Sequence, residues 1–176
     1  MKKKRIVFPL FCLLVTLLLL SCSDDGEEGS ENDTTALPPP DMSMLSETTI
    51  WDGPSLTFQK AAGTDPNLPE NQDRITNAVW ITRGNDGGQI YNAVTENEAE
   101  SETSPAGTMW AVGTTADLED LSFDRFRSAL GKPKDRVGED LVLLLVDENI
   151  AIDVRITAWA QGQVGGFTYV RSTAPE

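Results

Sequence analysis

Residues 48–176 are predicted to form an all-β fold: an antiparallel, jelly-roll-like β-sandwich with one short helix. Three observations predict it. Short runs rich in β-branched and aromatic residues alternate with clusters of Gly, Pro, Asn and Asp. One run, LVLLLV at 141–146, is apolar at every position, as a strand covered on both faces would be. The run after it alternates apolar and polar residues with the period of two that a half-buried strand shows.

Each element follows from its local chemistry. TTIWDGPSLTFQKA holds two strand runs, around 49–51 and 55–60, with Gly53-Pro54 turning between them. GTDPNLPENQDRI reads as a long polar loop. TNAVWITRG is a strand with Val79, Ile81 and Arg83 on one side and Ala78, Trp80 and Thr82 on the other. Its hairpin partner is GQIYNAV, reached through residues 84–88. ENEAESETSPAG is an exposed excursion, after which TMWAVGTT returns to strand. DLEDLSFDRFRSAL predicts the short helix, capped by Asp117 or Ser122, with Leu118, Leu121, Phe126 and Leu130 turned inward. Asp147-Glu148-Asn149 is a tight turn. Beyond it, Ile150, Ile152, Val154, Ile156 and Ala158 face one side, while Ala151, Asp153, Arg155, Thr157 and Trp159 face the other. A Gly-rich turn at 162–166 leads to FTYVRST, and so short a connection requires antiparallel strands.

The region before this domain has a different chemistry. Met1 is followed by Lys2, Lys3, Lys4 and Arg5, then by an apolar stretch at 6–20. That stretch falls short of the about 20 residues needed to cross a bilayer and matches an export signal better. It ends in Leu19-Leu20-Ser21-Cys22, which resembles the lipobox of bacterial lipoproteins. The resemblance implies removal of residues 1–21 and a diacylglyceryl thioether on Cys22, with further acylation of the new terminus, palmitate being a typical chain. Acyl chains contribute about 0.8 kcal/mol per buried CH₂, so two or three of them hold a water-soluble domain on a membrane. The plain reading, a cleaved signal without lipid or a short membrane anchor, stands beside it.

Ser23, Asp24, Asp25, Glu27 and Glu28 follow at once. Acidic runs are ordinarily solvated spacers. This one also resembles the export tag of Bacteroidota lipoproteins, which implies an outer-membrane protein facing the cell surface, with the periplasmic face as the alternative. Residues 22–47 are acidic, rich in small polar residues, poor in apolar surface and contain ALPPPD, a disordered tether with a stiffer polyproline element.

Composition removes whole classes of function. Beyond residue 21, 10 basic residues face 28 acidic ones, a balance that repels nucleic acid. Both cysteines, Cys12 and Cys22, precede the domain, so its core has no disulfide to help it. With no histidine anywhere, the chain lacks the usual general base, zinc ligand and pH switch. The stretches NQDRITNAVWITRGNDGGQIYNAVTE, SPAGTMWAVGTTADL, LVLLLVDENIAIDVRITAWAQG and GGFTYVRST resemble a β-rich domain of secreted and surface proteins of Bacteroidota. That resemblance brings no assigned activity, and so no catalytic residue.

Candidate functional residues are weighed against structural roles. Asp153, Arg155, Trp159 and Tyr169 are expected to form an exposed aromatic-polar strip if strand pairing places them on one face. Asp153 is also the least implausible centre for a carboxylate hydrolase, although a cross-strand Asp–Arg pair explains it more simply. Asp65, Asn67, Asn71, Asp73, Asn85 and Asp86 supply oxygen donors in loops, a calcium-like set that turn chemistry accounts for equally well. Trp51, Trp80, Tyr91, Trp110, Trp159 and Tyr169 could offer a stacking platform for sugar rings, although most of them are expected to be structural, and Lys132, Lys134 and Arg136 read as a solvated loop. No catalytic residue, metal ligand or cofactor is assigned. The function expected is a lipid-anchored binding or adhesion module for a glycan or an envelope protein; a small hydrolase or a structural accessory subunit are the alternatives.

Overall fold

The computed structural model describes residues 47–176. The signal, Cys22, its flanking residues and the export tag at 23–28 lie outside the described residues. The strands are β1 (Thr49–Trp51), β2 (Leu56–Lys60), β3 (Asp73–Arg74), β4 (Trp80–Arg83), β5 (Ile90–Asn92), β6 (Thr108–Val112), β7 (Asp140–Leu145), β8 (Ile150–Trp159) and β9 (Phe167–Arg171), with one α-helix, α1 (Phe126–Leu130). The fold is all-β and sandwich-like. A six-stranded sheet runs in the order β2-β9-β8-β7-β6, and a three-stranded sheet in the order β3-β4-β5. Neighbours are antiparallel except β1, which lies parallel to the first half of β8.

β8 is the spine because it is long enough to carry two partners on one edge. β1 pairs with residues 150–152 and β9 with residues 154–159, so the two shorter strands meet end to end. At that junction the Gly53 N–H donates to the Thr173 carbonyl at 2.9 Å. A side chain at residue 53 would collide with the Ala174 carbonyl, which is why glycine stands there. The β7–β8 hairpin turns at Asn149, whose φ of 52° falls in the left-handed region that asparagine tolerates.

The solid apolar run is buried on both sides over residues 141–145, as expected, whereas its last residue, Val146, is exposed. Leu141, Leu143 and Leu145 join Trp110, Ile152, Val154, Ile156, Phe167 and Tyr169 in the main core. Ile81 and Ile90 of the smaller sheet, with Ile75 and Val79 from the β3–β4 connection, close over it. Val142, Leu144, Ala111 and Ala151 form a second cluster on the opposite face, capped by Leu118, Leu121 and Phe123. A buried ion pair stitches the two sheets together. Arg171 on β9 donates Nε and Nη2 to Asp73 on β3 at 2.7 and 2.9 Å, and the Tyr169 hydroxyl donates to the same carboxylate at 2.6 Å.

The expected single helix at 117–130 is corrected by the structure. A 3₁₀ turn at Thr115–Asp120 is followed by extended chain, and only Phe126–Leu130 are α-helical. Neither Asp117 nor Ser122 caps a helix: the flanking positions are Thr114 and Arg125, and neither makes a side-chain capping bond. The four inward residues explain the break. Leu118 and Leu121 cover one face of the large sheet, whereas Phe126 and Leu130 enter the core on the other. One helical stripe faces one way only, so the segment instead crosses the free edge of β6 through paired backbone bonds between Trp110 and Asp124 (2.7 and 3.0 Å).

Candidate functional site

The expected strip of Asp153, Arg155, Trp159 and Tyr169 does not assemble. Alternation along β8 holds through Ile156, which pairs with Tyr169. A β-bulge then intervenes, so that Ala158 rather than Thr157 opposes Thr168 and Trp159 opposes Phe167. The extra residue turns Trp159 back toward the core, with ring centroids 6.2 Å from Phe126 and 6.0 Å from Phe167. Tyr169 is 2% exposed and engaged with Asp73. Burial above all, then the Asp73 carboxylate, pushes its pKa well above the usual phenol range. The four residues thus divide between two faces of the sheet.

Asp153 and Arg155 do share the outer face, but not as partners. Arg155 forms a cross-strand ion pair with Asp140, its register partner on β7. Asp153 accepts from the Thr115 backbone N–H and hydroxyl, both at 2.8 Å, and so pins the 3₁₀ turn to the sheet. The neighbouring Ser172 hydroxyl bonds the Asp153 backbone N–H at 3.1 Å. Asp140, Asp153, Arg155 and Ser172, together with Asp52 and Ser55, line a shallow basin of about 390 Å³ where β1 and β9 meet.

Of the calcium-like loop donors, all but Asp86 are engaged within the fold. Asp65 Oδ1 accepts from the backbone and side-chain nitrogens of Asn67. Asn71 donates to the Asp65 carbonyl, Asp73 holds Arg171, and Asn85 links Lys60 to the Thr64 carbonyl. Among the described residues no group of three or more His, Cys, Asp or Glu side chains could hold a metal ion.

Two buried cations organise the loops at the far end of β8. The Arg83 guanidinium stacks 4.0 Å over the Trp159 ring and donates to the carbonyls of Gly88 (3.2 Å), Ala160 (3.0 Å) and Gly166 (2.9 Å). Lys60, 1% exposed, donates to Asn85 Oδ1 at 3.0 Å and to the Gly165 carbonyl at 3.4 Å. Neither cation has an ion-pair partner among the described residues. Burial, followed by the Arg83 charge, holds the Lys60 pKa below its ordinary value.

These cations fix the β4–β5 turn, which forms one wall of a second cavity of about 470 Å³. Asp86, Tyr91, Asn97 and Glu98 contribute its polar groups. The Tyr91 side chain is 2% exposed, yet its hydroxyl has no hydrogen-bond partner among the described residues. Every side-chain polar atom sealed from solvent among those residues does have a partner, so this hydroxyl must be reached from the cavity. Asp86 and Glu98 likewise make no ion pair or side-chain hydrogen bond among the described residues.

Comparison with family models, with curated proteins and with solved structures gave no match. The site is therefore defined by its own chemistry. Sequence reasoning assigned Tyr91 to the core, correctly for its ring. Its free hydroxyl became visible only when the two segments flanking it in sequence, 84–88 and 97–99, and the distant loop at Pro66 were folded around it. Asp86 was named for a calcium-like role, and Glu98 was read as part of an exposed acidic excursion, where the structure does leave it exposed.

Proposed function

We propose that the chain is a lipid-anchored protein of the outer membrane, displayed at the cell surface, whose β-sandwich is a non-catalytic binding module. The address rests on Leu19-Leu20-Ser21-Cys22 and the acidic run behind it, and the binding reading on the cavity at the β4–β5 turn. The observation that carries the latter is the Tyr91 hydroxyl: a phenol held in a buried ring with no partner of its own, opening onto unpaired carboxylates. The hydroxyl is open to the cavity, so a ligand that bonds it replaces the water there with a fixed partner. A strongly acidic domain tethered by lipid argues against nucleic acid and for a ligand met at the envelope. A hydrolase centred on Asp153 is the weaker reading, because that carboxylate is committed to Thr115 and the basin around it is shallow.

The experiment is replacement of the border thiol. Cys22→Ser is expected to abolish the lipid mass on the mature terminus and to move the protein from the membrane to the soluble fraction. An unmodified wild-type terminus in the mass spectrum would overturn the anchoring half of the proposal. Cross-linking of the wild-type protein on intact cells tests the binding half. Adducts that depend on Tyr91 and Glu98 support it, and adducts indifferent to both count against it.

A further inference from the structure

We propose that the cavity bounded by Asp86, Tyr91 and Glu98 receives an alkylammonium group, the lysine side chain of a protein partner; this rests on the binding reading above and names its ligand class. The donor and acceptor inventory leads there. Two carboxylates without an ion pair and one phenol oxygen offer three acceptors in one cavity, and an ammonium has three N–H donors and no acceptor. The charges that already lie close cannot fill this role. The Lys60 amine is committed to Asn85 Oδ1 and the Gly165 carbonyl, and the Arg83 guanidinium donates to three carbonyls and stacks on Trp159.

Other occupants fit less well. A sugar ring needs an aromatic face to stack on, but Tyr91 is the sole aromatic residue lining this cavity and its ring is buried. A metal ion needs more carboxylate ligands than converge here. An anion would meet the carboxylates of Asp86 and Glu98 in the lining and would feel those of Asp65 and Glu96, which also act on Tyr91. These same four carboxylates, after burial, raise the Tyr91 pKa, so the phenol stays protonated and neutral beside an incoming cation.

The wall is preorganised. Glu96 accepts from the backbone N–H groups of Asn92 (2.7 Å) and Ala106 (2.9 Å) and from the Ser104 hydroxyl, which fixes the chain that carries Glu98. On the opposite wall Gly87 and Gly88, at φ of 107° and 81°, shape the turn that presents Asp86. A rigid site of this kind loses little entropy on binding.

The test titrates the mature lipidated protein in neutral detergent with Nα-acetyl-lysine amide. Nα-acetyl-norleucine amide serves as the uncharged control, and binding is followed by ligand-observed NMR and calorimetry. Saturable binding of the lysine probe alone is expected. Added salt should weaken it, Glu98→Gln and Asp86→Asn should each weaken it about tenfold, and Tyr91→Phe should weaken it severalfold. Tyr91→Phe keeps the buried ring, so an unchanged melting temperature separates lost binding from lost folding. No saturable binding, equal response to norleucine, or indifference to all three substitutions overturns the proposal. If oligosaccharide rather than the lysine probe binds in a Tyr91-dependent manner, the ammonium assignment fails while the binding-module reading survives. If Tyr91-dependent adducts on cells are also missing, both fail.

Discussion

The Arg83 guanidinium lies 4.0 Å over the Trp159 ring and, from that position, ties the β4–β5 hairpin of the small sheet to the β8–β9 turn of the large one. The bulge at residue 157 makes this possible, because strict alternation would have left Trp159 on the outer face. The role of Trp159 is therefore to hold the domain together rather than to stack on a ligand. Trp159→Ala is expected to cost about 3 kcal/mol, the low end for a large-to-small change because the side chain is half-buried. Denaturant unfolding measures it. A neutral effect on stability together with lost ligand binding would return the residue to the binding surface.

Asp73 and Arg171 should behave as a unit. Each is almost fully buried, and they meet in a two-pronged pair that also accepts the Tyr169 hydroxyl. Asp73→Ala leaves a buried guanidinium without its counterion, at a cost of about 3–5 kcal/mol. Removing both partners in Asp73→Ala/Arg171→Met should cost clearly less than the sum of the two single changes, since no charge is then stranded. Additive costs in a double-mutant cycle would show that the two side chains act independently.

The buried titratable groups set opposite slopes on the alkaline side. The fold lowers the Lys60 pKa from 10.5, so between that lowered value and 10.5 the unfolded chain holds more protons and stability rises with pH. The fold raises the Tyr169 pKa above 10.0, so the native state holds more protons beyond that point and stability falls as pH climbs through the unfolded value toward the folded one. Tyr91 contributes in the same direction as Tyr169. Lys60→Met is expected to remove the rising limb and Tyr169→Phe to soften the falling one. Unfolding free energies measured across this range decide it, and a Lys60→Met curve parallel to wild type would refute the assignment.

The parts of the fold that were legible in the sequence are those set by local periodicity. Residues 141–146 and the alternation at 150–156 identified the centre of the large sheet and both of its buried faces. The parts that were not legible depend on contacts between distant segments. Nothing in ITAWAQG marks the bulge, because the gain comes from packing Trp159 between Phe126 and Phe167. The split of 117–130 likewise needs the edge of β6 to be known before its apolar residues can be assigned to opposite faces. Asp153 illustrates the same limit at the candidate site: an Asp–Arg pair was readable as a motif, but Arg155 chose Asp140 across the hairpin and Asp153 reached a turn 38 residues away.

Asp153→Ala isolates that last relationship. The carboxylate accepts two bonds from Thr115, and without it the Thr115 N–H and hydroxyl on the outer face must find water or lose their partner. Loss of comparable side-chain caps costs about 1–2 kcal/mol. The damage should be local. The 3₁₀ turn carries Leu118 onto the second apolar cluster, so loosening it exposes Val142 and Leu144 while the ion pair between Asp73 and Arg171 stays shut. Hydrogen exchange should therefore quicken at residues 115–121 before it quickens in the main core. Asp153→Asn should retain part of the cap and fall between wild type and Asp153→Ala. If both variants match wild type in stability and exchange, Asp153 does not hold the turn, and its conspicuous place on the outer face would need another explanation.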